Sequence, residues 1–322
     1  MSTVTFFSGV QEQLLLVEDR IREQAGQEHH PDLHSALEHL LAAGGKRIRP
    51  TVCLLVGNML GAPEDKLITL CASVEILHTA TLVHDDLIDG ALLRRGLPTL
   101  NTRWSPAATV LTGDFLFARA AKLSAETDYL PLMKLFAETL SVIVNGELTQ
   151  MFFARGAIDR GNYYQRIYAK TASLFEMTTL AATMVATEDE STRLAMKEFG
   201  GEIGMAFQIV DDILDFTGEE HTLGKPIGSD LLNGMVTLPA IYYAETHPTD
   251  PDIISLPAGS WTNTESMSRL VENIRRSDSI EKSFEEAAGH VTRALGILEN
   301  FEVCPERAAL ENLSRYIVDR KI

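Results

Sequence analysis

Two aspartate clusters with identical spacing constrain this chain more strongly than any other feature of its sequence. Each cluster has the form D-D-x-x-D and lies inside an apolar run, TLVHDDLID in the first case and FQIVDDILDF in the second. The first acidic cluster consists of Asp85, Asp86 and Asp89, and the second acidic cluster consists of Asp211, Asp212 and Asp215. Positions i and i+4 share one face of a helix, so the first and last aspartates of each cluster can present carboxylates side by side.

Carboxylates this close together need a counter-charge. Near a protein surface, two of them about 4 Å apart repel each other by roughly 4 kcal/mol. Protonation would relieve the repulsion by raising a carboxylate pKa, but a hard divalent cation would do so more effectively. A few exposed oxygen ligands suit Mg²⁺, which keeps several waters and completes its shell with substrate phosphates. One such cluster is equally typical of a solvated helix face, whereas two copies in apolar surroundings favour a metal–diphosphate site.

Composition narrows the class of protein. The 322 residues are 45% hydrophobic, enough for a sizeable core, and the net charge of −17 argues against nucleic acid and against a polybasic contact with anionic lipid. Cys53, Cys71 and Cys304 show no C-x-x-C spacing, which indicates a reducing compartment. The first residues do not resemble a signal peptide, and no run reaches the roughly 18 apolar residues of a membrane span. We therefore expect a soluble, cytoplasmic protein without a stable membrane anchor.

Apolar residues recur at helical spacing almost throughout, which predicts an all-α protein with a single domain over residues 1–322. The predicted helices cover residues 10–25, 33–43, about 50–59, 64–90, 105–126, 131–155, 161–187, 191–216, a helix beginning near 239, then 262–276, 278–300 and 305–320. Each acidic cluster falls near the C-terminal end of a long helix, so the last turns of these helices are expected to line a shared cavity. The glycine-rich segment 217–238 is predicted to be a loop that closes over the site.

Basic residues lie beside glycine turns, although the chain has only 28 Lys and Arg against 45 Asp and Glu. Because guanidinium forks match phosphate oxygens, this placement predicts anion sites. The residues concerned are Lys46, Arg47, Arg49, Arg94, Arg95, Lys170 and Lys225. Together with the two acidic clusters, they predict two anionic ligands, one held through metal ions and one held by arginine and lysine directly.

In combination, the motifs between residues 44 and 239 resemble those of the trans (E-type) polyprenyl diphosphate synthases. The motifs are GGKRIRP, HTATLVHDDLID, LRRG, GDFLFARA, GELTQ, KTA, FQIVDDILD and GKPIGSDL. The resemblance implies a bundle of long helices around a deep central cavity, the isoprenoid synthase fold. It also implies about three Mg²⁺ per active site and a homodimer, with a heterodimer as the alternative.

The resemblance also implies a role for each matching residue. Two Mg²⁺ on the allylic diphosphate would be held by Asp85 and Asp89, supported by Asp86, and a third by Asp211 with Asp212 and Asp215 behind it. The allylic diphosphate would contact Arg94, Lys170 and Lys225. The diphosphate of isopentenyl diphosphate would contact Lys46, Arg49, His78 and Arg95. The nascent carbocation would lie beside Thr171 and Gln208. One position departs from the family pattern, because Met235 stands where the family usually has lysine.

The implied reaction condenses an allylic diphosphate with isopentenyl diphosphate, head to tail and in trans. The length of the product should depend on the side chains that precede Asp85 on its helix. Ala80 lies about 7.5 Å before Asp85, and Thr81 and the aliphatic residues Leu77 and Val74 are its neighbours on the predicted wall. Because Ala80 and Thr81 are small, we expect a product longer than C15, in the range C25 to C50, with C20 as the alternative. An Ala80→Phe replacement is expected to shorten it.

Three other functions fit part of the pattern. A terpene cyclase shares the helices and one D-D-x-x-D motif, but its second metal motif usually contains Asn, Ser and Glu. A metal-dependent phosphohydrolase would use His78 and the His84–Asp85 pair, but leaves the second acidic cluster and GGKRIRP without a role. A non-catalytic subunit of a heterodimer usually lacks the acidic motifs, and both are intact in this chain.

Overall fold

The computed structural model describes residues 7, 9–26, 30–42, 44–153, 156–218 and 226–320. Lys225, predicted to contact the allylic diphosphate, lies outside the described residues, as does most of the first half of the predicted loop at 217–238. The chain divides into two compact units. The first unit comprises residues 1–138, 177–197 and 302–310, and the second comprises residues 139–176, 198–301 and 311–322.

The described residues form helices almost throughout, as the all-α prediction requires. Up to residue 125 the helices are α1 (Gln11–Arg22), α2 (Pro31–Ala42), α3 (Ile48–Met59), α4 (Glu64–Ile88), α5 (Leu100–Arg103) and α6 (Pro106–Ala125). The longer helices that follow are α7 (Leu130–Phe153), α8 (Arg160–Ile167), α9 (Ser173–Ala186) and α10 (Glu190–Thr217). The remaining helices are α11 (Ser229–Leu232), α12 (Leu238–Thr246), α13 (Pro251–Ser255), α14 (Thr264–Arg276), α15 (Ser279–Leu298) and α16 (Pro305–Asp319).

Three short 3₁₀ turns and one hairpin complete the described structure. The turns are Glu23–Ala25, Leu256–Ala258 and Ser260–Thr262. The hairpin pairs β1 (Leu93–Arg94) with β2 (Leu97–Pro98) in antiparallel register. It lies between the helices predicted at 64–90 and 105–126, where two paired residues on each side are too few to show as alternation in the sequence.

The structure departs from the predicted elements in three respects. The short helices α5, α11 and α13 lie in segments where no helix was predicted, and α11 falls within the predicted loop at 217–238. The helix predicted at 161–187 is interrupted by a π-helical turn, Tyr168–Ala172, between α8 and α9. Helix α10 begins at Glu190, one residue before the predicted start at 191. Asp189 caps it, because one of its oxygens accepts hydrogen bonds from the Thr192 backbone N–H at 2.8 Å and the Ser191 hydroxyl at 2.7 Å. A difference of one residue is within the usual variation of helix ends.

Helix α4 is the centre of the first unit and packs against α1, α3 and α6. It is the one described helix that is long and apolar enough to cross a membrane by length and composition. Glu75 and His78 interrupt its apolar residues, so it is not the unbroken run of about 18 apolar residues that the sequence was predicted to lack. Of its most apolar stretch, 67% is buried inside the protein, which is typical of the core helix of a globular domain.

Helix α10 contributes most to the core of the second unit. Around the second acidic cluster, Ile209, Val210, Ile213 and Phe216 are all fully buried. The apolar run that surrounds these aspartates is therefore a buried helix rather than a solvated one. Burial on this scale makes an unpartnered carboxylate expensive, so each aspartate of the cluster needs an identifiable partner.

Candidate active site

The first acidic cluster occupies the last turn of α4, and Asp89 is the residue that ends the helix. The preceding residues divide between two faces. Ser73 donates a hydrogen bond to the Ala120 carbonyl of α6 at 2.7 Å, and His84 Nε2 lies 3.2 Å from the Val110 carbonyl of the same helix. By helical spacing Leu77 and Ala80 share this α6-facing side, and both are fully buried.

The adjacent face of α4 carries side chains that are only partly covered by the rest of the protein. His78, Thr81 and Asp85 follow one another at spacings of three and four residues, and all three are half-buried. Asp89 is exposed at the end of the same stripe. Among the residues predicted to set product length, Thr81 thus lies on the accessible stripe, whereas Ala80 and Leu77 lie on the packed side. Their effect on product length stays a prediction.

His84 fixes the distance between α4 and α6 next to the first acidic cluster. Its ring lies against Gly113, where a Cβ atom would come within 2.2 Å of His84 Nε2. The ring also lies 5.2 Å from that of Phe117. The glycine in GDFLFARA is therefore required by close approach, and its neighbour across the interface is the residue that precedes Asp85.

We expect Gly113→Ala to lower the free energy of unfolding by about 1–3 kcal/mol, because the new methyl group would displace a packed ring. Gly296→Ala in α15 is the matched control, since no atom lies within 4 Å of its added Cβ. The control should be neutral or more stable by about 0.5–1 kcal/mol, the usual gain over glycine within a helix. Urea unfolding of both variants measures the difference, and a Gly113→Ala protein as stable as wild type would contradict the packing described.

Asp86, the middle residue of the first cluster, is buried and held by Arg94 of the hairpin. The Arg94 Nε atom donates to both Asp86 oxygens at 2.9 Å, and Arg94 Nη2 lies 2.8 Å from Oδ1. Forked contacts of this kind are the strongest arginine–carboxylate geometry. The structure therefore brings two predicted site residues together and makes Asp86 the anchor for Arg94, which leaves Asp85 and Asp89 as the cluster's more accessible carboxylates.

A second group of predicted residues meets where the GGKRIRP segment approaches α4. Arg49 Nη1 lies 3.1 Å from His78 Nε2, and Arg95 Nη1 donates to the Gly44 carbonyl. Burial holds the pKa of His78 well below its usual value, and the positive charges of Arg49, Arg95, Arg94 and Arg47 lower this pKa further. His78 is therefore neutral at pH 7 and lies in a region of positive potential, in a chain whose net charge is −17.

Arg47 and Lys46 differ in their roles within this corner. Arg47 is half-buried and its Nη1 atom lies 2.7 Å from Glu75 of α4, so its positive charge is largely balanced by a carboxylate of the protein. Lys46 is exposed. Gly45 lies beside Arg95, where a Cβ would come within 2.8 Å of Arg95 Nη1. The second glycine of the motif thus allows the guanidinium to approach the backbone.

In the second unit, Lys170 and Thr171 lie on the π-helical turn between α8 and α9. Turns of this kind inside helices occur frequently at functional sites. Lys170 Nζ lies 3.0 Å from Glu147 Oε1, a residue of the GELTQ motif on α7. The Thr171 hydroxyl donates to Gln208 Oε1 at 2.6 Å. The two residues predicted to lie beside the carbocation are therefore in direct contact.

This contact continues into the second acidic cluster. Gln208 Nε2 donates to Asp212 Oδ1 at 2.8 Å, and the Tyr163 hydroxyl donates to Asp212 Oδ2 at 2.7 Å. Burial and, to a smaller extent, the charge of Asp230 raise the pKa of Asp212 to about 7, against the opposing effects of Gln208, Tyr163 and Arg166. Asp212 is thus a buried anchor for the chain of hydrogen bonds that ends at Thr171.

The raised pKa of Asp212 gives the metal-free protein a defined pH dependence. A carboxyl group whose pKa is higher in the folded state stabilises the fold at low pH, and this contribution is lost as pH rises from about 4 to about 7. Over this range the free energy of unfolding of the wild-type protein should fall by about 2–4 kcal/mol because of Asp212, and this fall should be absent in Asp212→Asn. Urea unfolding at pH 5 and pH 8 measures it. The exposed Asp65→Asn variant should keep the wild-type slope, and an unchanged slope in Asp212→Asn would contradict the assignment.

The other two aspartates of the second cluster differ in burial. Asp215 is buried and accepts from the Ser229 hydroxyl at 2.8 Å and from the Asp230 backbone N–H at 3.1 Å, so it holds the start of α11. Asp211 is the most accessible of the three, with 41% of its side chain exposed, and its Oδ1 atom lies 2.9 Å from Arg320 Nη1. Asp212 and Asp215 are thus more deeply buried than Asp211, and the predicted role of Asp211 as a metal ligand stays a prediction.

Several residues of these networks were missed from the sequence. They are Tyr163, which holds Asp212, Glu147, which pairs with Lys170, Arg166, which donates to the Val236 carbonyl, and Arg320, which pairs with Asp211. Glu147 lies within a motif that was noted but given no role. The others are separated from their partners by tens of residues and carry no local pattern that could identify them.

The donor set fits Mg²⁺ better than a transition metal. Among the described residues, no group of three or more His, Cys, Asp and Glu side chains is close enough to enclose a metal ion. The accessible candidates Asp85, Asp89 and Asp211 offer carboxylate oxygens alone. One or two carboxylates completed by water and substrate phosphate is the coordination that Mg²⁺ prefers. In each unit, the carboxylates present would suit Mg²⁺ whose remaining ligands are water and phosphate oxygens.

Comparison with known sequences agrees with this site chemistry. Residues 30–274 match the Polyprenyl synthetase family. The chain is 36% identical to a prenyl transferase of Synechocystis, over 99% of each chain. It is also 36% identical to heptaprenyl diphosphate synthase component 2 of Geobacillus stearothermophilus, over 99% of each chain. It is 40% identical to all-trans-nonaprenyl-diphosphate synthase (geranyl-diphosphate specific) of Rhodobacter capsulatus, over 89% of this chain and 88% of the other.

Solved structures give the same result for the fold. The polyprenyl synthase from Caulobacter crescentus complexed with calcium and isoprenyl diphosphate superimposes with a TM-score of 0.91 at 34% identity, over 100% of this chain and 98% of the other. The heptaprenyl diphosphate synthase from Staphylococcus aureus gives 0.90 at 31% identity, over 97% and 98%. The isoprenoid synthase fold predicted from the motifs is therefore confirmed, whereas the deep central cavity stays a prediction.

Proposed function

The chain belongs to the polyprenyl synthetase family, and from this premise we propose that it condenses an allylic diphosphate with isopentenyl diphosphate. The product is a trans polyprenyl diphosphate longer than C15, within C25 to C50. Relatives named heptaprenyl and nonaprenyl synthases favour the upper part of this range and make the C20 alternative weaker. The observation that carries the proposal is the group of arginines around His78, namely Arg49 and Arg95. His78 itself lies on the same helix stripe as Asp85.

The proposal needs two diphosphate sites, and α4 offers one at each end of this stripe. Asp85 and His78 are seven residues apart, which is about 10 Å along a helix. At the His78 end, Lys46, Arg49 and Arg95 would hold the diphosphate of isopentenyl diphosphate. At the Asp85 end, the first acidic cluster would face the allylic diphosphate.

About three Mg²⁺ are proposed per active site, with Asp85 and Asp89 as ligands to two and Asp211 as a ligand to the third. Their chemistry, when bound, is stabilisation of the negative charge that develops on the diphosphate leaving group. Asp86, Asp212 and Asp215 would act through the contacts described above rather than as main ligands. The allylic diphosphate would also contact Arg94, Lys170 and Lys225. Met235 removes one positive contact relative to the usual family pattern.

The reaction itself needs little covalent participation by the protein. Cleavage of the allylic C–O bond leaves a delocalised cation, and the Thr171 hydroxyl and the Gln208 amide are proposed to lie beside it. The double bond of isopentenyl diphosphate attacks C1, a C–C bond forms, and a proton leaves for the released diphosphate. Apolar surroundings protect the cation from water. The closure predicted for the segment 217–238 does not extend to its second half, where Leu231 and Val236 are buried and Asp215 holds the start of α11.

Incubation of the purified protein with labelled isopentenyl diphosphate, Mg²⁺ and allylic primers of increasing length tests the proposal. We expect linear products that grow by C5 steps to a final length between C25 and C50. Products that do not incorporate isopentenyl diphosphate would indicate a terpene cyclase instead. Release of inorganic phosphate from nucleotides without chain growth would indicate a phosphohydrolase.

We further propose a cytoplasmic homodimer in which residues 1–322 act as a single domain. The three free cysteines support a reducing compartment. Val144, Leu148 and Met151 of α7 share a helix face and are each 46–48% exposed, so they form an apolar surface suited to a second copy. Light scattering should give about twice the 35.5 kDa chain mass. A monomer that is active only with a second protein would instead indicate the heteromer suggested by the relative named component 2.

A further inference from the structure

Arg320, the residue that follows α16, is buried against α10 in the second unit. Only 9% of its side chain is exposed. Its Nη1 atom lies 2.9 Å from Asp211 Oδ1, its Nη2 atom donates to the Phe207 carbonyl at 3.0 Å, and its Nε atom donates to the Ile317 carbonyl at 3.2 Å. The guanidinium carbon also lies 4.0 Å from the centre of the Phe207 ring. Each edge and one face of the guanidinium thus have a partner.

Such burial is unusual, because arginine is seldom buried unless it is paired. Three of the four contacts are to backbone carbonyls or to an aromatic ring, and these do not depend on the orientation of Asp211. The guanidinium is therefore fixed largely without Asp211, and it can orient the Asp211 carboxylate.

We propose that Arg320 is a positioning residue that orients Asp211 for metal binding, so that docking of α16 against α10 prepares the second acidic cluster for its cation. The proposal rests on the function proposed above, which makes Asp211 a metal ligand. Groups that hold a metal-ligating carboxylate typically change metal affinity by about 10- to 100-fold when they are removed.

The sign of the change in affinity separates this role from a purely electrostatic one. By Coulomb's law alone, removing a positive charge beside Asp211 would tighten the binding of a divalent cation there. Loss of orientation would weaken it. Arg320→Lys adds a second distinction, because an ammonium group keeps the charge but cannot span three acceptors in different directions. Both Arg320→Gln and Arg320→Lys should therefore bind the cation more weakly than wild type.

The test uses full-length protein and a non-reactive bisphosphonate in place of the allylic diphosphate. Titration with Mn²⁺ followed by electron paramagnetic resonance measures the affinity of each metal site. We expect the weakest site to lose affinity by about 10- to 100-fold in Arg320→Gln and about 10-fold in Arg320→Lys. Arg315→Gln is the matched control, because Arg315 lies on α16, its side chain is 51% exposed, and its Nη2 atom lies 3.6 Å from Glu311 rather than near the second acidic cluster.

In turnover assays, the Mg²⁺ concentration for half-maximal rate should rise by a similar factor in both Arg320 variants, with kcat at saturating Mg²⁺ much less affected. Wild-type or tighter Mn²⁺ affinity in Arg320→Lys would overturn the proposal, and this variant decides the result even if Arg320→Gln does not fold. Failure of the wild-type protein to bind Mn²⁺ with the bisphosphonate would instead overturn the proposed function. The two failures are therefore distinguishable.

Discussion

Replacement of Asp85 by asparagine is expected to lower kcat/KM for the condensation by about 10²–10³-fold. Asp85 is half-buried on the accessible stripe of α4, whereas its neighbour Asp86 is held by Arg94. An amide at this position keeps the size of the side chain but loses the negative charge that would bind the cation and, through it, the leaving group. Losses of this size are typical when one charge-stabilising group is removed from an active site.

Steady-state kinetics at several Mg²⁺ concentrations check this prediction. The Asp65→Asn variant is the control, because Asp65 is an exposed acidic residue in the first turn of the same helix. The control should retain wild-type kcat/KM, and circular dichroism should show folded protein for both variants. Wild-type turnover by a folded Asp85→Asn protein would show that the first acidic cluster does not take part in the reaction.

Replacement of Thr81 by phenylalanine is expected to shorten the final product from the C25–C50 range to C20 or less. Thr81 is half-buried one turn before Asp85, on the stripe that also carries His78. A benzyl group at this position would fill the path of a growing chain below the metal ions. Because the site is partly open, the ring should be accommodated with little change in the free energy of unfolding.

The Ala80→Phe variant provides the contrast. The sequence predicts that this replacement also shortens the product, but Ala80 is fully buried on the α6-facing side of α4. We therefore expect Ala80→Phe to lower the free energy of unfolding by about 1–3 kcal/mol in addition, because extra atoms would enter a packed interface. Mass spectrometry of the dephosphorylated products and urea unfolding measure the two effects.

Thr69→Phe serves as the control for product length, because Thr69 lies on the same helix about 18 Å before Thr81. Its product distribution should match that of wild type. A Thr81→Phe protein that still makes wild-type products would place the limit to chain growth elsewhere. Shortening by Ala80→Phe without any loss of stability would show that Ala80 borders an open space.

The all-α fold and the accessible parts of the site could be predicted because their signals are local. Helical spacing of apolar residues is repeated within each helix, and the two acidic clusters are short motifs. His78, Arg49 and Arg95 came from such motifs, and the structure brings the two arginines close to His78 in the middle of α4. Residues that lie within short local motifs are thus recoverable from sequence alone.

The supporting contacts could not be predicted because they join distant parts of the chain. Tyr163 and Asp212 are separated by 49 residues, and Arg320 and Phe207 by 113. A lone tyrosine or a terminal arginine has no spacing that distinguishes it from a surface residue. The different burial of Asp85 and Asp86 could not be predicted either. The two residues are adjacent in the sequence, and only the packing around the helix decides which of them is buried.

The π-helical turn at Tyr168–Ala172 has a consequence for the length of this part of the chain. In a regular helix, Tyr163 and Thr171 would point about 80° apart, since eight residues exceed two full turns by that angle. One residue accommodated in a wider turn removes about 100° of rotation and brings the two side chains nearly into phase. Tyr163 and Thr171 then both reach α10, one through Asp212 and the other through Gln208. A single-residue deletion between them would leave seven residues of regular helix, which also brings the two side chains nearly into phase. The wider turn therefore accommodates one additional residue without changing which side of the helix reaches α10.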